Sequence, residues 1–249
     1  MMLAARGAIR ASGAKTARDY VQDGLIAMWD GIENAGWGTH DPNATPINLV
    51  SGESDFPFAS FTDKQITDNS IVITGDSTYQ SSASYTIPGE APYVTLEANV
   101  GMERDDASSS TLNLWIALGS TGTSSSLNLY QQSSKLVFAR GNNYFNFTES
   151  ATSGSMNSAV YSAVASVDKS NDSSYNVGDY YKNGLLAYST NKTDWVFSSY
   201  YITNPAKLLI RVRAGTKLVL RNLRFYSRAL TADEISRNYA IDKERFNLL

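Results

Sequence analysis

The chain has 249 residues, of which 42% are hydrophobic and 11% aromatic, with a formal net charge of −3. That length and apolar content suffice for a full core without staples, and the slight negative charge argues against a general nucleic-acid binder. Zero Cys removes disulfides, thiolate zinc sites and cysteine nucleophiles together.

The first eighteen residues carry Arg6, Arg10, Lys15 and Arg18 and no acid. Arg6 and Arg10 interrupt the small-residue start before an apolar stretch of about 7 to 15 residues forms, so no cleaved signal peptide is expected. No segment approaches the roughly 18 to 20 apolar residues of a membrane span. Residues 1–18 therefore read either as a disordered basic tail or as a basic arm for attachment to a partner, contributing little to folding. Residues 19–249 read as one domain.

From Tyr20 onward the texture is short apolar runs separated by Gly, Asn, Ser and Asp. Strands are predicted at Gly24–Trp29, Ser70–Thr74 and Ser84–Ile87. Val94, Leu96, Ala98 and Val100 then alternate with Thr95, Glu97 and Asn99, the period of a strand with one buried face. Leu112, Leu114, Ile116 and Leu118 repeat that pattern, with Trp115 on the opposite face. Leu127/Leu129, Leu136/Phe138 and Phe145/Phe147 suggest a meander, Tyr130 falling opposite its leucines. Further strands are expected at Val160–Val167, Asn176–Lys182, Leu185–Ser189, Leu208–Val212 and Lys217–Tyr226. Asn183-Gly184 is a type I′ hairpin signal, because both residues tolerate positive φ. So many short strands predict an all-β, two-sheet antiparallel jelly-roll sandwich. One helix closes the chain over 231–246. Thr231 and Glu234 stand at capping-box spacing, Leu230 and Ile235 at staple spacing, and Ile235, Tyr239, Asp242 and Phe246 form a mostly apolar stripe.

Three segments carry a family resemblance. Gly24-Leu25-Ile26-Ala27-Met28-Trp29-Asp30 resembles the opening strand of laminin G-like domains in the concanavalin A-like lectin and glucanase superfamily. Tyr181-Lys182-Asn183-Gly184-Leu185-Leu186 is similar to that family's hairpin. Leu223 to Ile235, with Arg228-Ala229-Leu230 before an acidic helix start, resembles the ending of many microbial members. The resemblance implies a concanavalin A-like jelly roll over roughly Tyr20 to the C-terminus. Two departures limit it. Arg221 and Asn222 stand where acids often precede the last apolar pair, which puts a family-type metal site in doubt. The Glu-x-Asp-x-x-Glu arrangement of the hydrolases is also missing, and with it the close carboxylate pair of retaining hydrolysis. Residues Trp29 to Gly38 resemble in texture proteins encoded by gut bacteria and their phages.

No catalytic residue is assigned. His40 is the sole His, no Gly-x-Ser-x-Gly elbow accompanies it, and it reads as a loop residue bonding to Asp41 or backbone. Asp168, Asn171, Asp172 and Asp179, and Glu103 to Asp106, are oxygen-rich enough to hold calcium but lack EF-hand spacing and read better as solvated turns. No cofactor or metal is expected. Aromatics are the more suggestive class, since a pyranose C–H face stacks on a ring while amides bond hydroxyls. Trp37, Trp115 and Trp195, beside Asn142 and Asn143, are the candidate carbohydrate contacts; the same rings serve equally well in a core or a protein interface.

The expected protein is non-enzymatic: a structural or interaction component of a phage virion surface, a decoration or fibre element, with a lectin-like domain contacting host-surface glycans. Its arm would bind other structural proteins of the assembly, and it would act as a homo-oligomer made without export. A bacterial surface or secreted carbohydrate-binding domain is the alternative, and a glycoside hydrolase the third.

Overall fold

Among the described residues of the computed structural model, short apolar runs punctuated by turn residues form fourteen strands and one α-helix. The structure describes residues 14–53, 60–75, 79–85, 93–104, 112–119, 126–132, 135–140, 143–147, 157–168, 175–189 and 206–248. In chain order come a 3-10 turn (Ala17–Asp19), β1 (Leu25–Asp30), β2 (Asp63–Ile66), β3 (Ile71–Thr74), β4 (Tyr79–Tyr85), β5 (Tyr93–Arg104) and β6 (Leu112–Gly119). These are followed by β7 (Ser126–Gln132), β8 (Lys135–Arg140), β9 (Asn143–Phe147), β10 (Asn157–Asp168), β11 (Tyr175–Lys182), β12 (Leu185–Ser189), β13 (Ala206–Val212), β14 (Thr216–Tyr226) and α1 (Ala232–Phe246).

The strands make two antiparallel sheets. The larger runs β12-β11-β10-β5-β14-β3-β2, and the smaller runs β4-β13-β6-β7-β8-β9. Strand β14 bulges between Leu220 and Asn222: its first half pairs with β3, and its second half takes β1 on the same side. Leu96, Ala98 and Val100 of β5 and Leu218, Leu220 and Phe225 of β14 meet Ile116, Leu129 and Ile210 of the smaller sheet in one core. This is a two-sheet sandwich in keeping with a jelly roll. Burial of such aliphatic and aromatic side chains, about 1.5–3 kcal/mol each, is its main stabilising term.

The meander β7-β8-β9 pairs as its sequence implies. Asn183 and Gly184 both take positive φ, 51° and 74°. A Cβ on Gly184 would stand 2.9 Å from the Tyr239 ring, so the hairpin tip reaches α1 only because that residue is Gly. Strand β2 has no counterpart in the sequence reading, because Asp63, Lys64 and Gln65 give it only Ile66 as a buried residue.

Helix α1 starts as its residues dictate. Thr231 Oγ1 accepts the Glu234 N–H (3.3 Å), the Glu234 carboxylate accepts the Thr231 N–H (2.9 Å), and Leu230 and Ile235 share one apolar cluster. Asn247 in the left-handed conformation ends it. The buried stripe is less apolar than expected: Asn238 and Asp242 are buried with Ile235, Ile241 and Phe246.

Candidate functional site

The clearest electrostatic feature lies between α1 and the larger sheet. Thr95, Glu97 and Asn99 of β5, which alternate with core residues and read from sequence as a solvent face, are fully buried. Leu230 at the start of α1 and Asn238 on it bond to Thr95 and Glu97, so both faces of β5 are interior there. Thr95 and Glu97 are bonded there, as burial of polar groups demands, whereas both polar atoms of the Asn99 side chain have no hydrogen-bond partner.

Arg224 supplies the central pairing. Its Nε donates to Glu97 Oε2 (3.1 Å) and its Nη2 to Asp242 Oδ2 (2.8 Å). Its guanidinium lies 4.0 Å from the centre of the Tyr20 ring. The Tyr20 hydroxyl donates to Asp242 Oδ1 (2.8 Å) and accepts from Asn222 Nδ2 (3.0 Å) and Arg245 Nη1 (3.1 Å). Asn238 donates to Glu97 Oε2 (2.7 Å) and accepts the Val21 N–H (3.0 Å), tying helix, sheet and N-terminal segment together. Arg245 builds a second cluster, donating to Asp30 Oδ2 (2.6 Å) and to Glu33 Oε1 (3.0 Å). Glu33 also accepts the N–H groups of Ala17 and Gly38, both at 2.8 Å.

Burial pushes the Glu97 carboxyl up, partly offset by Arg224. Burial and the Asp242 charge raise Tyr20 well above an ordinary phenol. Desolvation works against the Arg224 charge, but Asp242 and Glu97 prevail and hold it firmly protonated. Each guanidinium is clamped by two carboxylates, and Glu97, Asp242, Asp30 and Glu33 are at most 1% exposed. All four carboxylates are buried and committed to arginines. The arrangement is a structural clasp.

The expected arm meets this clasp. Its residues 1–13 lie outside the described residues, so Arg6 and Arg10 have no described position. Residues 14–18 of that arm pack against the domain. Ala17 and Tyr20 are buried, Thr16 and Asp19 form a capping box, and the Lys15 N–H donates to Glu244 (3.2 Å). Lys15 Nζ is 3.9 Å from Asp19, and Arg18 lies over the Trp37 ring, 4.5 Å from its centre. Both cations are engaged by the domain itself.

Trp37, expected as a carbohydrate contact, lies at this N-terminal turn. It is half-buried against the Ala17, Tyr20, Met28 and Leu49 cluster, with Arg18 on its ring, and it anchors the N-terminal turn. His40 is exposed, with Nδ1 3.1 Å from the Ile32 carbonyl oxygen, a backbone contact. Asp179 accepts from the Ser189 hydroxyl (2.5 Å). Asn171, Asp172, Asp105 and Asp106 lie outside the described residues.

The remaining candidates concern the smaller sheet. Ile210, Ile116 and Leu129 are cross-strand partners facing the core. The adjacent register row runs Tyr79, Arg211, Trp115, Tyr130, Val137 and Asn146, and strand alternation places it on the sheet's other face. Trp115 and Tyr130 are thus direct partners. Asn143 pairs with Arg140, which pairs with Leu127, two residues from Leu129 and so on the core-side face. The expected grouping of Trp115 with Asn143 is therefore split between faces. Asn142 and Trp195 lie outside the described residues.

Several solved structures share this fold. The ligand-binding domain of botulinum neurotoxin serotype D, solved in complex with N-acetylneuraminic acid, superposes with a TM-score of 0.57 at 11% identity, over 88% of this chain and 51% of that one. The receptor-binding domain of the botulinum neurotoxin C/D mosaic serotype gives 0.56 at 11% identity, over 88% and 52%. Trypanosoma rangeli sialidase, in complex with sialic acid, gives 0.54 at 14% identity, over 89% and 33%. This chain therefore spans about half of the toxin domains and a third of the sialidase. At such identities the likeness is one of fold. No family model matches the chain, and no curated protein matches its sequence. Among the described residues no helix is long and apolar enough to cross a membrane.

Proposed function

We propose that this chain is a non-enzymatic, lectin-like interaction domain of the concanavalin A-like, laminin G-like kind, which contacts glycans through the outer face of its smaller sheet. The observation that carries this is the row Arg211-Trp115-Tyr130 on the face opposite the core. Two adjacent aromatic positions beside a donor suit a pyranose, whose C–H face stacks while its hydroxyls bond. Neighbours described as binding ganglioside or N-acetylneuraminic acid support the reading at the level of fold. The non-enzymatic reading draws on Glu97, Asp242, Asp30 and Glu33, all committed to arginines.

The setting we favour is the surface of an assembly such as a phage particle, with residues 1–13 as the attachment segment. The N-terminal turn packs on the outer side of the larger sheet. A tether there leaves the opposite, aromatic face outward. A glycan array tests the first part: binding lost in Trp115→Ala with unchanged melting supports it, and no binding at millimolar protein removes it. Immunogold labelling tests the second. Label on purified particles supports the assembly, whereas label confined to a cell envelope favours a bacterial surface domain.

A further inference from the structure

The face of the larger sheet that carries the clasp holds a second set of polar groups beside it. Strand β14 pairs Leu220 with Val100 and Asn222 with Asn99, so Arg221 is the extra residue of its bulge. Leu220 and Leu223 face the core, whereas Asn222 and Arg224 face α1. The Asp242 charge acts on Arg221 against the cost of its desolvation, which puts that guanidinium on the α1 side as well. The Arg221 carbonyl accepts the Gly31 N–H (2.7 Å), pinning the bulge to the residue after β1. Bulges of this kind re-aim a side chain.

Arg221 differs from its neighbours in what it meets. Arg224 and Arg245 are each clamped by two carboxylates, but Arg221 is paired with none among the described residues, and its buried Nη1 has no hydrogen-bond partner. The adjoining Asn99 is fully buried with both amide atoms unbonded. Asn222 Oδ1 is unbonded too, while its Nδ2 is held by Tyr20 and Asp242. A guanidinium nitrogen, an amide NH2 and two amide oxygens, all unmet, thus stand at adjoining positions on one face.

We infer that Arg221, Asn99 and Asn222 bind a small, singly charged oxyanion that keeps a hydroxyl hydrogen, of the hydrogencarbonate kind. A permanently charged guanidinium with a buried nitrogen calls for an anionic acceptor, and the Asn99 amide adds a second donor. The two amide oxygens call for a donor, which nitrate, chloride and sulfate cannot supply. Whichever way the Asn99 amide is turned, it offers one donor and one acceptor. Charge narrows the ligand further. Arg221, Arg224 and Arg245 share this layer with Glu97, Asp242, Asp30 and Glu33, so it admits a monoanion over a dianion, and with modest affinity. The site lies across the sandwich from the proposed glycan face and is independent of that reading.

The test is a titration of the full chain at mildly alkaline pH and fixed ionic strength, followed through the side-chain amide NMR signals of Asn99 and Asn222. Hydrogencarbonate is expected to shift both with a millimolar midpoint. Nitrate, a planar monoanion without a hydrogen, should bind about tenfold more weakly. Arg221→Gln should abolish the shifts for both ions, its fold checked by melting. If that variant does not fold, Arg221→Lys, which keeps the charge but loses the fork, should raise both midpoints. Asn99→Val replaces an unbonded amide with an apolar side chain, so it should fold normally and narrow the gap between the ions. Equal midpoints for the two ions in the unaltered chain overturn the hydroxyl-dependent site. No saturable shift with hydrogencarbonate, or shifts that survive Arg221→Gln, overturn the site altogether.

Discussion

Tyr20 and Asp242, 222 positions apart in sequence, share a 2.8 Å hydrogen bond in the interior. Through it the N-terminal segment and the last helix are parts of one buried polar layer. Tyr20→Phe keeps the ring under Arg224 but removes a hydroxyl that three buried groups use. A loss of about 1–3 kcal/mol is expected in urea unfolding. Deleting residues 1–13, which leaves the clasp intact, should shift the melting temperature by only a few degrees.

Arg224 is the sharpest test of that layer. Arg224→Met strands the Glu97 and Asp242 carboxylates without their shared cation, and losses of about 3–5 kcal/mol are typical when one buried partner is removed. Glu97→Gln should cost clearly less. Burial already pushes that carboxyl up, so its neutral form is the less foreign one. Equal losses in chemical denaturation would show that Glu97 matters as a full charge.

The helix start gives a pH signature. The bond from Arg228, with burial opposing it and the Thr231 N–H adding to it, holds Glu234 down at about 2, against an ordinary value of 4.5. A carboxyl depressed in the folded state stabilises fully above its unfolded value and loses that contribution as pH falls through its folded one. Stability should therefore drop between about pH 4.5 and 2, and the Glu234→Gln variant should show a smaller drop in melting temperature there. Thr231→Ala should cost about 0.5–2 kcal/mol and Phe246→Ala about 3–5 kcal/mol, the latter because the ring is buried.

Trp37 and Trp115 should separate folding from binding. Trp37→Ala removes the ring that Arg18 and the Ala17 cluster pack upon, and should lower the melting temperature while glycan binding persists below it. Trp115→Ala should do the reverse. Glycan loss in Trp37→Ala at full stability would exchange their roles.

The sandwich was legible because its signals are local. Alternation in β5 and β6, the Asn183-Gly184 turn and the Thr231/Glu234 box each need only a few neighbouring residues. The clasp was not, because nothing near Glu97 in sequence marks it. Its partners are Ser162, Arg224 and Asn238, 65, 127 and 141 positions away. A polar residue alternating with apolar ones reads as solvent-facing, and only the docked helix makes it interior. One signal did exist: Asn238 and Asp242 interrupt the helix's buried stripe at i, i+4, a spacing that called for partners on the sheet. The packing of residues 14–18 was hidden for a related reason. Basic character marks a segment as solvated, yet Ala17 and Tyr20 anchor this one.

A layer that joins residues 20 and 30 to residues 242 and 245 also dictates an order of events. The strands can pair and the apolar core can close while Glu97 and Arg224 still face water, where neither carries a desolvation penalty. The clasp can shut only after α1 has been made, so its contacts belong to the last stage of folding. Substitutions there should act mainly on how fast the domain opens and leave its folding rate nearly unchanged. A chevron plot of Tyr20→Phe with a steeper folding penalty than unfolding gain would contradict that order. The same arrangement makes the two ends a single fastening: peeling the chain from either end releases the other.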